Sequence, residues 1–553
     1  MKNPLLISCI FIFLSCSKSS APEIKPPVTP PNFNLSLLSV NGATSQTIYR
    51  GVPVAPSIAF KFSTKIDRNS VAGSITLKDN TGNAINYVIN YDNDSMFLIT
   101  PSLPLTYLAK YILSISAGLK STAGGNLNSS SEISFITELD ASDKFQRISD
   151  GALLDLIQTQ TLKYFTDFAH PVSGMARERN SSGDVVTTGG TGFGVMSIIS
   201  GVSRNFISRT DGLNLITKIV HFLKTKCTPY HGAFAHWING STGATVPFSQ
   251  KDDGADLVET SYLMQGLLCA RQYFNLNNTA ETNLRDDINT LWNAVEWNWF
   301  RENNQNVLYW HWSPNYNWDM NFQIKGWNEA LIVYALAASS NTDSIPRIVY
   351  HNGWASNGTI KNGNSYYGIQ LPLGPPQGGP LFFAHYSFLG INPTGLSDAY
   401  ANYFSQNTAH TLINYNYCKA NPKNYYGYSD SCWGLTASDD NINNYSAHAP
   451  DNDDGVISPT AAISSLPYAP TESMNALKFF YYKLGDKIWK EYGFIDAFNL
   501  NDIWFANSFL AIDQGPEIIM IENYRSGLLW NLFMSCPEIK RGMKQLGFQS
   551  PNL

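Results

Sequence analysis

Two periodicities divide the 553-residue chain. Between Phe33 and Glu138, short runs alternate apolar with small or polar residues, which sends successive side chains to opposite faces of a strand. Ser57-Ile58-Ala59-Phe60-Lys61-Phe62 and Ser74-Ile75-Thr76-Leu77-Lys78 do this, as do Ile85 to Tyr91, Tyr111 to Ser116 and Ile133 to Thr137. Turn residues separate the runs at Asp79-Asn80-Thr81-Gly82-Asn83, Asp92-Asn93-Asp94 and Gly124-Gly125-Asn126. About seven strands in roughly 100 residues predict an all-β sandwich over 33–138. After Asp140 the period becomes helical. Apolar residues recur at that spacing in Ala152 to Phe168, Phe193 to Val202, Leu213 to Leu223, Leu257 to Phe274, Ile288 to Trp299, Ala330 to Ala338, Met474 to Leu484 and Ile519 to Phe533. Residues 139–553 therefore predict an all-α domain of about twelve helices. An (α/α)6 toroid, whose inner helices surround a cleft lined by loops, fits that number.

The N-terminus changes the picture of where the protein works. Lys2 precedes an apolar run from Leu5 to Leu14, followed by Leu14-Ser15-Cys16. A basic start and an apolar core of roughly ten residues read as an export signal, too short for the ~20 residues of a membrane span. Cys16 is the expected lipid-attachment residue, which makes residues 1–16 a lipoprotein signal and Cys9 part of what is removed. Residues 17–32, with Pro22, Pro26, Pro27, Pro30 and Pro31, read as an extended linker. The expectation is an exported protein held at the bacterial envelope through its lipid alone. Cys227, Cys269, Cys418, Cys432 and Cys536 are scattered without a CxxC pair, so no disulfide framework and no structural metal site is expected.

Composition narrows the chemistry. Charged residues are 14% of the chain, below the roughly 25% of ordinary domains, and aromatics are 13%. Aromatic rings cover the apolar face of a sugar while amides and hydroxyls meet its OH groups, and a secreted protein with a neutral surface has the same composition. A net charge of -6 gives no reason to expect nucleic acid. A polysaccharide or oligosaccharide is the expected partner of a monomer that needs no cofactor.

Three acidic constellations could act on a glycosidic bond, which requires a protonated acid and a second carboxylate. Asp252, Asp256 and Glu259 are spaced four and three apart, which on a helix places them on one face. Crowding raises one pKa and keeps that group protonated near neutral pH. Equally, Asp252 or Asp253 could cap a helix whose first turn holds Asp256. Glu329, in Lys325-Gly326-Trp327-Asn328-Glu329-Ala330, opens an apolar helix after the aromatic run Tyr309-Trp310-His311-Trp312; a capped helix start is the alternative. Asp513 lies at a Gly-Pro turn ahead of a helix, and Glu522 and Arg525 are spaced to pair. Asp451-Asn452-Asp453-Asp454-Gly455 fails the calcium-loop pattern, with Pro450 at the first ligand position and Ala461 at the last, and reads as a turn.

Several motifs in order resemble one family. From about Ser149 to Phe548 the chain resembles the bacterial glycoamylase-like domain, glycoside hydrolase family 144, through Asp252 to Thr260, Gly326-Trp327-Asn328-Glu329, Asp454 to Ala462, Ser464 to Pro470, Asp513-Gln514-Gly515-Pro516 and Ile521 to Trp530. The segment before it resembles bacterial Ig-like domains, for which a spacer or packing role is expected and a carbohydrate-binding module is the alternative. The family resemblance implies an (α/α)6 toroid and metal-free, inverting cleavage of internal linkages in a β-linked glucan, β-1,2-glucan first. It implies that Asp252, Asp256, Glu259, Glu329 and Asp513 are the acids of the cleft, with Glu329 or Glu259 as general acid and Asp513 or Asp256 as base. Trp327, Tyr366, His385, Trp433 and Asp454 are candidate substrate contacts. Exo action, another glucan, or a non-catalytic glycan-binding lipoprotein are the alternatives.

Overall fold

The computed structural model describes residues 30–553; the expected signal, Cys16 and most of the linker lie outside them. The chain divides into two units at Glu138/Leu139. The second unit runs from Leu139 to Leu553.

The first unit is a two-sheet sandwich of nine strands: β1 (Leu35–Val40), β2 (Ala43–Thr44), β3 (Ile48–Val52), β4 (Ile58–Phe62), β5 (Ile75–Asp79), β6 (Tyr87–Asn93), β7 (Met96–Pro101), β8 (Lys110–Ile115) and β9 (Ser131–Thr137). One sheet runs β2-β1-β4-β7-β6 and the other β3-β9-β8-β5, with β3 and β9 parallel. Strict alternation in β8 turns Tyr111, Leu113 and Ile115 inward, onto a core that includes Phe60, Phe97 and Phe135.

The second unit is built from helices. They are α1 (Asp150–Thr166), α2 (Thr188–Ser203), α3 (Arg209–Thr225), α4 (Leu257–Tyr273), α5 (Thr279–Ala294), α6 (Leu331–Ser339), α7 (Arg347–Asn352), α8 (Tyr403–Ala420), α9 (Pro459–Ser464), α10 (Pro470–Ile488), α11 (Ala511–Ser526), α12 (Leu528–Ser535) and α13 (Pro537–Leu546). Side-chain oxygens start several of them: Ser149 accepts from Ala152 N–H, Ser208 from Asp211 N–H and Asn278 from Glu281 N–H. Two classes alternate along the chain. Helices α3, α5 and α10 bury one stripe, as surface helices do. Helices α2, α6 and α9 are buried almost all round, and so is α4 as far as Ala270 and α11 as far as Asn523.

The buried helices touch in sequence. α2 packs on α4, α4 on α6, and α6 on the 3-10 turns at residues 381–389; α9 packs on α11, and α11 returns to α2. His385 of the 3-10 segment reaches Ser465, just past α9, at 3.0 Å. The α2–α4 crossing is set by glycine. A Cβ on Gly192 would fall 2.1 Å from Tyr262 O, and one on Gly266 would fall 2.2 Å from Gly192 O, so the backbones touch where any other residue would hold them apart. Cys227, Cys269, Cys418, Cys432 and Cys536 are all free thiols.

Candidate active site

The first cluster assembles where the chain enters α4. Residues Ala255 and Asp256 pair antiparallel with His311 and Trp312, so the helix starts only at Leu257. Asp256 is therefore the N-cap, its Oδ1 accepting from Val258 and Glu259 N–H, both at 2.9 Å. Asp252 lies before the helix, beside a Ser249–Asp252 bridge. The expected single helical face for three acids is corrected: pairing with residues 311–312 keeps the backbone extended through Asp256. The acids converge all the same. Glu259 Oε2 accepts from Gly189 N–H at 2.7 Å and from the Thr187 hydroxyl at 3.1 Å, which fixes it at the start of α2.

Two histidines face these acids, of which His236 alone is shifted toward the cation; burial lowers the His311 pKa. His236 Nδ1 is 3.0 Å from Asp256 Oδ2, and its Nε2 is 4.0 Å from Glu259 Oε1. His311 Nε2 is 3.4 Å from Asp252 Oδ2 and 3.7 Å from Asp256 Oδ2. Burial alone would lower the His236 pKa, but the charges of Glu259 and Asp256 lift it to about 9, so the ring is a cation at neutral pH. Asp252 keeps a buried oxygen without a partner, and desolvation with the Asp256 charge pushes it up to about 7. Burial acts to raise Asp256 too, but the bond from His236 and the charges of His311 and His236 hold it below its ordinary value.

A second cluster gathers Asp513 of α11, Asp439 of the hairpin at residues 437–447 and Asp496, which lies between two short hairpins. Asp513 is in the first turn of α11 rather than at a turn ahead of it, and Pro516 is accommodated within that helix. Burial and the neighbouring Asp496 charge raise its pKa strongly. Asp496 is fully buried and pushed up to about 7 by desolvation and the Asp439 charge, while its Oδ2 accepts from Asp439 N–H at 2.7 Å. Asp439 in turn takes the Ser508 hydroxyl and, at 3.0 Å, Arg179 Nη1, and the Arg179 guanidinium also pairs with Glu178. A buried Asp513–Asp496 couple shares protons, because two carboxylates at close range do not both ionise.

Glu329 stands apart from both clusters, ahead of α6. It is part-buried; its carboxyl is pushed up to about 7 by desolvation, with the Asp256 and Glu259 charges adding to the rise. Two tyrosines link it to the rest. The Tyr386 phenol feels the charges of both Asp513 and Glu329, and Tyr262 feels Glu329 and Glu259. A cleft of about 370 Å³ is lined by Glu178, Arg179, His236, Trp237, Phe248 and Tyr445 among others, and meets the acid clusters through His236 and Arg179. A larger hollow of about 510 Å³, around Glu296, Trp299 and Trp318, contains none of these acids.

The expected substrate contacts divide. His385 lines a small cavity with Tyr386 and Asp513, and burial lowers its pKa to about 3, so the ring there is neutral. Trp433 is corrected to packing: it is fully buried and its indole N–H points to Glu472 O, so neither ring face is open to a sugar. Trp327 is likewise buried, stacked near Phe388 and Tyr403. Tyr366 packs with Ile369 on Leu371, Ala409 and Ile413. Asp454 accepts from the Asn443 amide at 3.2 Å. Glu522 and Arg525 do not pair with each other: Glu522 binds Arg204 and Arg525 binds Asp155, because α11 presents them to different neighbours. Sequence reasoning missed Asp496, Asp439, Arg179, His236, Tyr386 and Tyr445. The lone acid in Phe494-Ile495-Asp496-Ala497-Phe498 was the one visible signal, since a charge within an apolar run is buried for a reason.

Comparison with known proteins identifies the relatives of both units. Residues 321–537 match the Glycoamylase family model, and residues 28–137 match the bacterial Ig-like domain model. The chain is 45% identical over 421 residues to an exo β-1,2-glucooligosaccharide sophorohydrolase acting at the non-reducing end, from Parabacteroides distasonis; the match takes in 72% of this chain and 58% of that relative's length. It is similar to the solved endo-β-1,2-glucanase of Chitinophaga pinensis in complex with sophorotriose and glucose, with 52% identity, 74% of this chain, 100% of that one and a TM-score of 0.72. A β-1,2-glucanase structure from Parabacteroides distasonis matches 94% of this chain and 74% of its own at 37% identity, TM-score 0.71.

Proposed function

The chain belongs to the glycoamylase-like family, glycoside hydrolase family 144, and on that premise we propose that its C-terminal unit hydrolyses β-1,2-glucan with inversion at the anomeric carbon. The observation that carries the reading is the presence of two protonatable carboxyl groups, Glu329 and the Asp513–Asp496 couple, both within electrostatic reach of Tyr386. The order in which the buried helices touch supports an (α/α)6 toroid whose inner ring is α2, α4, α6, residues 381–389, α9 and α11.

Glu329 is the general acid. With a pKa of about 7 and part of its surface open, it holds a proton at neutral pH and can reach a leaving oxygen. As the C1–O bond breaks, its proton passes to the glycosidic oxygen. Water attacks C1 from the opposite face, and the proton it releases goes to the ionised member of the Asp513–Asp496 couple, directly or through a substrate hydroxyl. The product is an α-anomer. Glu259 and Asp256 are less suited to either part, because their oxygens are engaged by backbone N–H groups and His236. They place His236 beside Phe248 on the cleft wall instead, rings 4.3 Å apart.

Linear β-1,2-glucan, with β-1,3-glucan, β-1,4-glucan and starch as controls, tests the proposal by NMR of product anomers in the first minutes. Glu329→Gln and Asp513→Asn should each lower kcat at least about 1000-fold with substrate binding retained. Cleavage of another polymer alone, or β-anomeric first products, refutes it. The 45% identity to an exo-acting sophorohydrolase favours a second mode, release of disaccharides from a chain end, which uniform early products separate from endo cleavage. Export and anchoring through Cys16, and action as a monomer, belong to the same proposal.

A further inference from the structure

The hairpin of residues 437–440 and 444–447, which carries Asp439 and Tyr445 to the cleft, has a separate cluster beside it. Asp440 ends its first strand, His448 follows its second, and Asp454 comes from the next turn. One ligand-type atom from each of the three lies within 4.8 Å of the other two. No sequence motif announces the set, since the residues are spaced eight and six apart and only the hairpin joins them.

His448 is fully buried, and neither ring nitrogen has a hydrogen-bond partner. Its Nε2 faces Asp440 Oδ2 at 3.9 Å. An imidazole sealed from water with both nitrogens unsatisfied is destabilising, and a ligand at the site would relieve that. Ile442 N–H donates to Asp440 Oδ1 at 2.6 Å, and one amide is shared by both carboxylates: Asn443 Nδ2 donates to Asp440 Oδ2 at 3.1 Å and to Asp454 Oδ2 at 3.2 Å. That amide brings no charge to two acids.

We propose that Asp440, His448 and Asp454 bind a divalent transition-metal ion of the zinc class. Bonds of about 2.0–2.1 Å in a tetrahedron put ligand atoms roughly 3.4 Å apart, so the pair now at 3.9 Å closes by about half an ångström. One imidazole and two carboxylates suit zinc, and the fourth position is left for water or for Asn443 with its amide turned over. Calcium wants six or more oxygens, which this set does not offer. The other convergence of the kind, His236 with Asp252 and Asp256, is a poorer site because His236 Nδ1 is already committed to Asp256. The ion's work is structural. It ties the hairpin to the 449–454 turn and so holds Asp439 and Tyr445 at the cleft wall.

The full chain, stripped with EDTA and desalted, is titrated with zinc chloride by calorimetry, with manganese and calcium chlorides in parallel, and its Tm is recorded with and without zinc. One equivalent of zinc at micromolar affinity or tighter, with weaker calcium binding and a raised Tm, is the expected result. His448→Gln and Asp454→Asn should each weaken zinc binding at least about 100-fold, while Asp252→Asn leaves it unchanged. Circular dichroism checks that the variants fold; Asp454 is part-exposed, so its variant decides if His448→Gln does not. No zinc binding, zinc binding indifferent to both variants, or binding lost in Asp252→Asn instead overturns the proposal. Glucan hydrolysis can succeed or fail independently of all three results.

Discussion

Replacing Gly189 with alanine isolates how the α2–α4 crossing holds the acids. A methyl group built there falls 2.7 Å from Glu259 Oε2, 2.8 Å from Tyr262 Cδ2 and 3.0 Å from Glu259 Cδ. Ordinary carbon–oxygen contact begins near 3.3 Å, so Glu259 has to retreat by about half an ångström. It cannot do so and keep its 2.7 Å bond from Gly189 N–H and its 3.1 Å bond from Thr187. Losing one hydrogen bond to a charged group costs about 1.5–3 kcal/mol. Crowding adds about 1–3 kcal/mol, and alanine in a helix returns about 1 kcal/mol. The net is about 1.5–5 kcal/mol. In a unit of roughly 400 residues, whose unfolding entropy is near 0.9 kcal/mol per kelvin, that lowers Tm by only about 2–6 °C. Turnover should suffer far more, on the order of 100-fold, because Glu259 sets His236 and a displacement of an ångström or less removes a catalytic geometry. Calorimetry and initial rates on β-1,2-glucan read the two effects, with Gly151→Ala, which meets nothing within 4 Å, as the control. Wild-type turnover in Gly189→Ala, or a loss no larger than its change in Tm implies, would refute the idea that this contact positions the site.

Two further outcomes follow from the charges. The kcat profile should fall tenfold per unit above about pH 7 as Glu329 loses its proton; a plateau extending past pH 8.5 would remove Glu329 from the role of acid. His236 has a folded pKa of about 9 against an ordinary 6.5, so the stability it contributes is complete below pH 6.5 and is lost as pH rises through 9. The wild type should therefore lose Tm between pH 7 and 9, and His236→Gln should start lower and flatten that decline; an unchanged decline in the variant would show that another group titrates.

Local rules reached part of this arrangement. The helices with one apolar stripe and the strands with strict alternation were legible, because burying one face imposes a period on the residues. The acids of Asp252, Asp256 and Glu259 were also legible as a group, but not their geometry. Whether Asp256 lies in a helix or caps it depends on pairing with His311, 55 positions away, and nothing in its own neighbourhood reports that. Asp496 and Asp439 were hidden for the same reason. Asp439 stands in a four-residue pairing and Asp496 in the link between two two-residue pairings, all too short to show a period, and the Asp496 pKa is set by burial and by Asp439. Glu522 and Arg525 show the opposite error: correct helical spacing, with partners drawn instead from α1 and the end of α2.

α11 is the last of the buried helices to leave the ribosome, and it closes on α2, which was among the first. A chain stopped anywhere before Ala511 lacks Asp513 and presents the apolar flanks of α2 and α9 to water. Such a fragment is sticky and inert at once. The surface that marks an unfinished chain for chaperones and proteases is thus the one whose covering brings Asp513 to the acid cluster.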